Sequence, residues 1–410
     1  MRASVAKGYV RLVRILVLSF YFTPDLSAGS FRTAALIEQM RQLLPADVSV
    51  DLLTTCPNRY RSFERAVDLV ETLGPVTVRR IPVPVHQSGL VDQSKTFAAY
   101  ARGVFAHTRG RKYDLVYATS SRLMTAFLGA RVSHGGSTPL YLDIRDIFVD
   151  TVQDVFRGRH AARLLPVLSH VERYTLRSAH RINLVSRGFE SYFRKRHPNA
   201  KLDFFTNGID DEFLEADWRR TSPRSGRIQV LYAGNIGQGK GLHAILPGLA
   251  AATADTHEYA VVGDGGARKL LDDALAKEPR ARVRIQPPVG RDALIALYRE
   301  ADVLMLHLND LSAFEKVLPS KLFEYAATGK PILAGVAGHA ASFVAREIPN
   351  ARVFRPCDVA GGVEAVRALS LDATDRAAFI AKYRRTTIMR ELAKAVLATG
   401  GISPRGGNGV

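Results

Sequence analysis

The feature that most limits the fold of this chain is an alternation of short apolar runs with longer amphipathic stretches, completed once and begun again at Ile228. In the first round the strand-like runs are 14–22, 48–54, 76–81, 114–118, 139–143 and 181–185. Helix-period stretches lie near 31–44, 93–109, 121–133 and 159–178. In the second round strands fall near 228–233, 258–262, 282–285, 302–307 and 331–334, with helices near 242–252, 267–277, 291–300, 320–328 and 361–369. Such alternation calls for parallel strands joined by helices that cover both faces of a sheet. The expected fold class is α/β, with two Rossmann-like, doubly wound domains facing a cleft. The expected parts are a first domain over 1–210, ending in strand 203–206 and the sequence NGID, and a polar linker over 211–227. A second domain covers 228–375, a last helix 376–398, and a glycine-rich disordered tail 399–410.

In open α/β sheets, ligands bind outside the carboxyl ends of the strands, and five motifs stand at such ends. The most informative is VLPSKLFEYAATGKPILAG, Val317 to Gly335. Pro319 and Ser320 open a short helix, Gly329 ends it and Pro331 follows. The backbone at Pro319, Ser320 and Lys321 can then meet an anion such as a phosphate. Glu324, one turn in, can accept hydrogen bonds from two neighbouring hydroxyls, as on a ribose. In LYAGNIGQGKGLHAIL a strand runs into a Gly-rich loop holding Asn235, and Lys240 stands just ahead of the next helix, placed to neutralise a diphosphate. Gly241 follows Lys240 where a Walker loop needs Ser or Thr. YAVVGDGGARKLL has Arg268 where a dinucleotide fingerprint needs its last glycine, so Gly263 reads as part of a turn lining the site.

In the first half, YFTPDLSAGSFRTAAL places Gly29 where backbone can approach a bound group, with Ser30 as N-cap of a helix from Phe31. LYLDIRDIF ends a strand in Asp143, Arg145 and Asp146. Charges at a sheet edge are costly unless used or paired. They read either as a structural Asp–Arg pair or as groups that orient an acceptor and stabilise charge. The loop Asn58 to Asp68 interleaves arginines with Tyr60 and Phe63, as at a lipid-headgroup surface or in a solvated loop with packed rings. No metal-ligand spacing, Asp-x-Asp pair or Gly-x-Ser-x-Gly elbow is present. His307, ending strand DVLMLH, reads as structural.

The formal net charge is +18, and it is uneven. Residues 1–210 hold 30 Lys/Arg and 17 Asp/Glu, a net +13, against +5 for residues 211–410. A one-sided basic field points to an anionic partner on the first half, and a membrane surface is expected rather than nucleic acid. The apolar run from Ile15 to Phe22 reads as a buried strand and not as a signal peptide, and no stretch is long enough to span a bilayer. Cys56 and Cys357 lie far apart and form no framework, which suits a reducing compartment.

Taken together and in order over about 20–400, the YFTPDLSAGSFRTAAL start, the NGID join, the YAGNIGQGKG loop and the PSKLFEYAATGKPILA block resemble glycosyltransferase family 4. These are the retaining transferases of the GT-B fold, and the last block is similar to the branch that builds O-antigen, capsule and exopolysaccharide. The resemblance implies that 1–210 is the acceptor side and 228–375 the nucleotide-sugar side, with the last helix returning to the first domain. It further implies that Gly29 lets a loop approach the donor phosphates, Lys240 binds the diphosphate, and Glu324 is the second Glu of Glu-x7-Glu. Three positions depart from the family pattern. Asn235 stands where an Arg is frequent. Lys316 stands at the first Glu, with Glu315 one position early. Arg145 stands where many members carry His.

The expectation is therefore transfer of a glycosyl group from a nucleoside-diphosphate sugar, UDP-linked, to a lipid-linked (polyprenyl) or polysaccharide acceptor. It would need no cofactor and no metal, and would work at the cytoplasmic face of the inner membrane through the basic first domain. Lys240, Glu315, Asp143, Arg145 and Asp146 are the catalytic candidates. Rival readings are a GT-B epimerase, a non-catalytic assembly partner and a polyanion binder.

Overall fold

The run VRILVL, Val13–Leu18 (β1), seeds the first sheet: Ile15 to Leu18 are wholly buried, as in a strand covered on both faces. The structure, a computed structural model, describes residues 12–25, 27–57, 67–84, 90–120, 123–147, 159–221 and 226–405. The other strands of this sheet are β2 (Val48–Thr55), β3 (Val70–Leu73), β4 (Val76–Ile81), β5 (Leu115–Thr119), β6 (Leu140–Ile144), β7 (Arg181–Leu184) and β8 (Leu202–Asp203). Their order is β3-β4-β2-β1-β5-β6-β7-β8. All neighbours run parallel except β3, which folds back antiparallel on β4 through a turn whose Gly74 has φ 63°.

The second sheet contains β9 (Ile228–Ala233), β10 (His257–Val262), β11 (Val283–Gln286), β12 (Val303–His307), β13 (Ile332–Gly335) and β14 (Ala351–Phe354). Its order is β11-β10-β9-β12-β13-β14, parallel throughout. Apolar clusters cover it on both sides, one around Leu304, Leu322 and Phe323, the other around Val230, Leu246 and Met305. In each sheet the chain leaves the first strand in one direction and later returns on its other side. The reversal falls between β1 and β5 in the first sheet and between β9 and β12 in the second. These reversals create the crevices where open α/β sheets take ligands.

The chain divides into two units. The first comprises residues 1–185, 190–205 and 389–410, and the second 186–189 and 206–388.

Several sequence expectations change. The first strand stops at Leu18 rather than Phe22, and Ser19 turns the chain by donating its hydroxyl to Tyr21 O at 2.7 Å. The 211–227 linker opens with a helical turn, Asp211–Glu215, whose Phe213 is buried and stacks between Trp218 and Tyr298. The single last helix is two, Ala377–Tyr383 and Arg385–Thr399. Arg384 between them is extended because Ile209 pairs with it, giving its N–H to Tyr383 O at 2.8 Å and taking that of Arg385 at 2.9 Å. Residues 399–405 of the expected disordered tail are ordered: Ile402 is buried and the Arg405 N–H donates to Leu43 O at 2.6 Å. Strands β3 and β14 and the helices Glu190–Arg196 and Gly338–Glu347 were not foreseen.

Candidate functional site

In the second unit, loops following β9, β10, β12 and β13 meet at the reversal point, and small residues let them do so. A Cβ on Gly263 would overlap Gly234 O, which joins the loops after β9 and β10. Two ladder-like bonds continue that join: Ile236 N–H to Asp264 O and Ala267 N–H to Ile236 O, both 2.9 Å. A Cβ on Gly239 would lie 2.7 Å from the Phe314 ring, so the Lys240 turn rests on the segment Ser312–Lys316. Gly241 has φ 61°, a left-handed corner that ends the short 3-10 turn Gln238–Lys240 and starts the helix Leu242–Ala252. Lys240 is half-buried there, and Asn235 is exposed.

The helix Lys321–Ala327 begins at Ser320 and ends before Gly329, whose φ is 70°. Pro319 is buried beneath its start. Glu324 is nearly buried, and its Oε2 accepts from Lys321 Nζ at 2.8 Å and from Tyr298 OH at 3.3 Å. Among the described residues its Oε1 takes no hydrogen bond, which leaves an acceptor for a ligand hydroxyl. Lys321 also donates to the Tyr298 oxygen at 2.8 Å, so its ammonium turns toward Glu324 and only its backbone faces the helix opening. Burial and the neighbouring Glu324 hold the Tyr298 phenol well above its usual range, so it stays a donor.

Glu315 and Lys316 lie in the segment after β12, with Glu315 exposed. The Lys316 carbonyl accepts from Ser186 Oγ at 2.6 Å, and Gly338 packs against Glu315 backbone closely enough that a Cβ would overlap its carbonyl. The backbone at both positions is therefore fixed from below.

The first unit assembles a different group. Asp143, at the end of β6, is wholly buried. It receives Arg32 Nε at 2.8 Å and Nη2 at 3.1 Å, Tyr117 OH at 3.0 Å and Asn183 Nδ2 at 2.6 Å. Those four donors fill both oxygens. The Arg32 guanidinium and the side-chain bonds outweigh burial and hold the carboxyl below its usual range. This corrects the reading of Asp143 as an acceptor-orienting group: no lone pair is left, and it serves as the anchor of Arg32. Asp146 is exposed and Arg145 half-buried.

Arg145 is the residue here with spare capacity. Its Nε is buried without a hydrogen-bond partner, and burial and the nearby Arg32 charge lower its pKa. Its guanidinium lies on Gly29, where any Cβ would overlap Nη1. Gly29 sits in the first turn of the helix Ala28–Leu43, which starts three residues earlier than expected. Ser27, not Ser30, is the cap, accepting the Ser30 N–H at 3.2 Å. Arg32 went unnoticed in the sequence because its partner is 111 residues away. The loop Asn58 to Asp68 lies outside the described residues over 58–66.

Among the described residues no three His, Cys, Asp or Glu side chains gather as metal ligands, and no helix is long and apolar enough to cross a membrane.

Comparison with known proteins finds a family match in each half. Residues 31–208 match the family described as glycosyl transferase 4-like domain, and residues 215–386 match glycosyl transferases group 1. A protein of Escherichia coli (strain K12), provisionally described as the colanic acid biosynthesis glycosyl transferase WcaI, is 24% identical over 226 residues. That match takes in 52% of this chain and 53% of the other, so the chain spans about half the length of this curated relative. Among solved structures, sucrose-phosphate synthase from Thermosynechococcus elongatus superposes with a TM-score of 0.69 at 15% identity, covering 95% of this chain and 96% of that one. Anabaena Alr3699/HepE in complex with UDP-glucose gives 0.67 at 17% identity, covering 94% and 99%. The fold they share with this chain is GT-B, two Rossmann-like α/β domains.

Proposed function

We propose that this chain, a member of glycosyltransferase family 4, is a transferase that moves a sugar from a UDP-sugar to a hydroxyl of a lipid-linked or polysaccharide acceptor in surface-glycan assembly. The observation that carries the donor half is the meeting of the Lys240 turn, the Gly263 turn and the segment before Glu324 at the β9/β12 reversal. In this reading the Glu324 Oε1 accepts from the ribose, Lys240 offsets the diphosphate, and the backbone at Pro319, Ser320 and Lys321 lies against the phosphates or sugar. Gly263 and Asn235 line the same turn. The UDP complex of a fold relative supports the choice of nucleotide.

The chemistry breaks the bond from the anomeric carbon to the diphosphate oxygen and makes one from that carbon to the acceptor oxygen. The acceptor proton passes to the departing phosphate oxygen, with retention at carbon. The protein then has mainly to stabilise negative charge growing on the diphosphate, an electrostatic task. Lys240 is the cation we assign to it, and Arg145 we assign to the acceptor side within the first unit. Glu315 and Asp146, both exposed, are left to orient sugar or acceptor. No metal is required in this scheme, because a protein cation meets the diphosphate.

The basic excess of residues 1–210 is what we assign to the anionic membrane surface at the cytoplasmic face. The helix Arg159–Arg177 supports that assignment, exposing Val167 by 60% together with the nearby His170 and Arg173.

Calorimetric titration with UDP, GDP and ADP, with and without EDTA, tests the donor site in wild type, Glu324→Ala and Lys240→Ala. UDP-selective binding that survives chelation and weakens in both variants supports the reading. Absence of nucleotide binding in the wild type overturns it.

A further inference from the structure

We infer that His307 is a positioning residue for the diphosphate: a neutral strut, fixed in one tautomer, that turns the carbonyls of the Lys240 turn away from the ligand. This rests on the donor site proposed above. A turn that receives an anion must present N–H groups and keep carbonyl oxygens elsewhere, because the two ends of each peptide carry opposite partial charge. Across a trans peptide the C=O and the following N–H point in opposite directions. In this turn the Lys240 and Gly241 N–H groups are themselves used internally, on Gly237 O at 2.9 Å and Gln238 O at 3.1 Å, so what remains to be set for the ligand is the direction of the carbonyls.

All three carbonyls of Gln238, Gly239 and Lys240 are held by residues at the end of β12. Asn309 Nδ2 donates to Gln238 O at 2.9 Å, and the Asn309 N–H donates to Gly239 O at 3.0 Å. His307 Nδ1 meets Lys240 O at 2.6 Å, and a carbonyl can only accept, so Nδ1 carries the proton. The other ring nitrogen confirms the tautomer, since Nε2 accepts the Cys357 N–H at 3.0 Å. Cys357 is itself in a left-handed conformation (φ 59°), with its Sγ 3.3 Å from Asn309 Oδ1. The ring is wholly buried and lies on Gly335, where a Cβ would overlap Cδ2. Phe354 flanks it at 5.9 Å between ring centroids.

The groups around the imidazole are few: the Lys240 ammonium and His243 on the side of the helix Leu242–Ala252, and apolar or backbone atoms elsewhere. Burial, aided by the nearby Lys240 ammonium and opposed by the bond to the Lys240 carbonyl, pushes its pKa down to about 4. The ring is thus neutral at ordinary pH and cannot exchange roles with Lys240 as a phosphate-binding cation. Its part in recognition is indirect, through the Lys240 carbonyl. Without the Nδ1 donor that carbonyl can rotate outward, bringing a negative dipole end to the phosphates while leaving the nucleoside pocket unaltered.

The test compares a nucleoside with its diphosphate. Whichever of UDP, GDP or ADP binds the wild type is titrated by calorimetry into His307→Leu and His307→Asn, and its parent nucleoside by ligand-observed NMR. Loss of a buried hydrogen bond and reversal of one peptide dipole should weaken diphosphate binding by about tenfold in His307→Leu. Nucleoside affinity should stay within about twofold, and His307→Asn, whose amide can donate from near the Nδ1 position, should recover most of the loss. Equal weakening of nucleoside and diphosphate, or none of either, overturns the strut. If His307→Leu does not fold, His307→Phe, which keeps a ring but no donor, takes its place and is read by the same criteria. Failure of every nucleotide to bind the wild type rejects the donor site itself, a result distinct from failure of the strut.

Discussion

The guanidinium of Arg145 lies against Gly29, closer than any side chain at position 29 would allow. Two signals that looked unrelated in the sequence, a glycine after β1 and an arginine after β6, are two faces of one contact. Gly29→Ala should therefore displace Arg145 and do little else, since the overlapped atom is the end of a flexible side chain. Expected is a loss of sugar transfer of about tenfold, with unfolding free energy changed by less than about 1 kcal/mol. Radiolabelled donor turnover and urea melts would check it, and a large stability loss with full activity would contradict it.

The buried Arg32–Asp143 pair should behave in the opposite way. Asp143→Ala strands Arg32 inside the first unit and should cost about 3–5 kcal/mol, whereas the double change Arg32→Met with Asp143→Leu should recover much of it. Because the folded carboxyl titrates below its unfolded value, its stabilisation is present above the unfolded pKa of about 4 and is lost as pH falls through the lower folded value. Denaturation followed between pH 6 and 2 should show an acid-labile step that is missing in the double variant.

His307 gives a different pH signature. Its folded pKa of about 4 lies under the unfolded histidine value, so the unfolded chain binds the extra proton between the two. Stability is full above about pH 6.5 and falls by about 3 kcal/mol as pH drops to 4. His307→Asn should flatten that slope, measured by urea unfolding at stepped pH. An unchanged slope would mean that another group is responsible.

Sedimentation with vesicles tests the membrane assignment. Binding to vesicles containing anionic phospholipid should exceed binding to neutral ones and fall steeply between 50 and 500 mM salt, roughly as expected when the Debye length shrinks from about 14 to 4 Å. Val167→Asp should weaken it further at constant salt. Equal binding to neutral and anionic vesicles would remove the charge asymmetry as its cause.

Local signals were readable in the sequence and distant pairings were not. Ser320 and Gly329 bracket the helix Lys321–Ala327 as expected, although the Ser320 side chain makes no cap bond, because start and stop depend on the backbone preferences of residues within one turn. Central strands such as Ile332–Gly335 stood out because burial on both faces leaves an unbroken apolar run. Edge strand β3, with the sequence VETL, has only four residues and half-exposed faces, so its pattern is too short to register. The break at Arg384 comes from Ile209, some 175 residues earlier, and nothing in the local sequence marks it. The same holds for Asp143: sequence places a carboxylate at the sheet edge, but only the fold supplies Arg32, Tyr117 and Asn183 to saturate it. Lys240 and His307 were each noticed, yet the bond that joins them runs from a side chain to a main-chain oxygen, which no residue pattern encodes.

Residues 389–410 complete the first unit after the whole of the second has been made. Leu392, Val396 and Leu397 are fully buried, and Gly400 packs on Leu115, whose side chain a Cβ at 400 would meet at 3.1 Å. During synthesis, then, the part of this unit made first waits with an open apolar surface until residues 389–402 leave the ribosome. A nonsense change at residue 389 would spare the whole of the second unit, yet it would leave the unit begun first permanently unfinished.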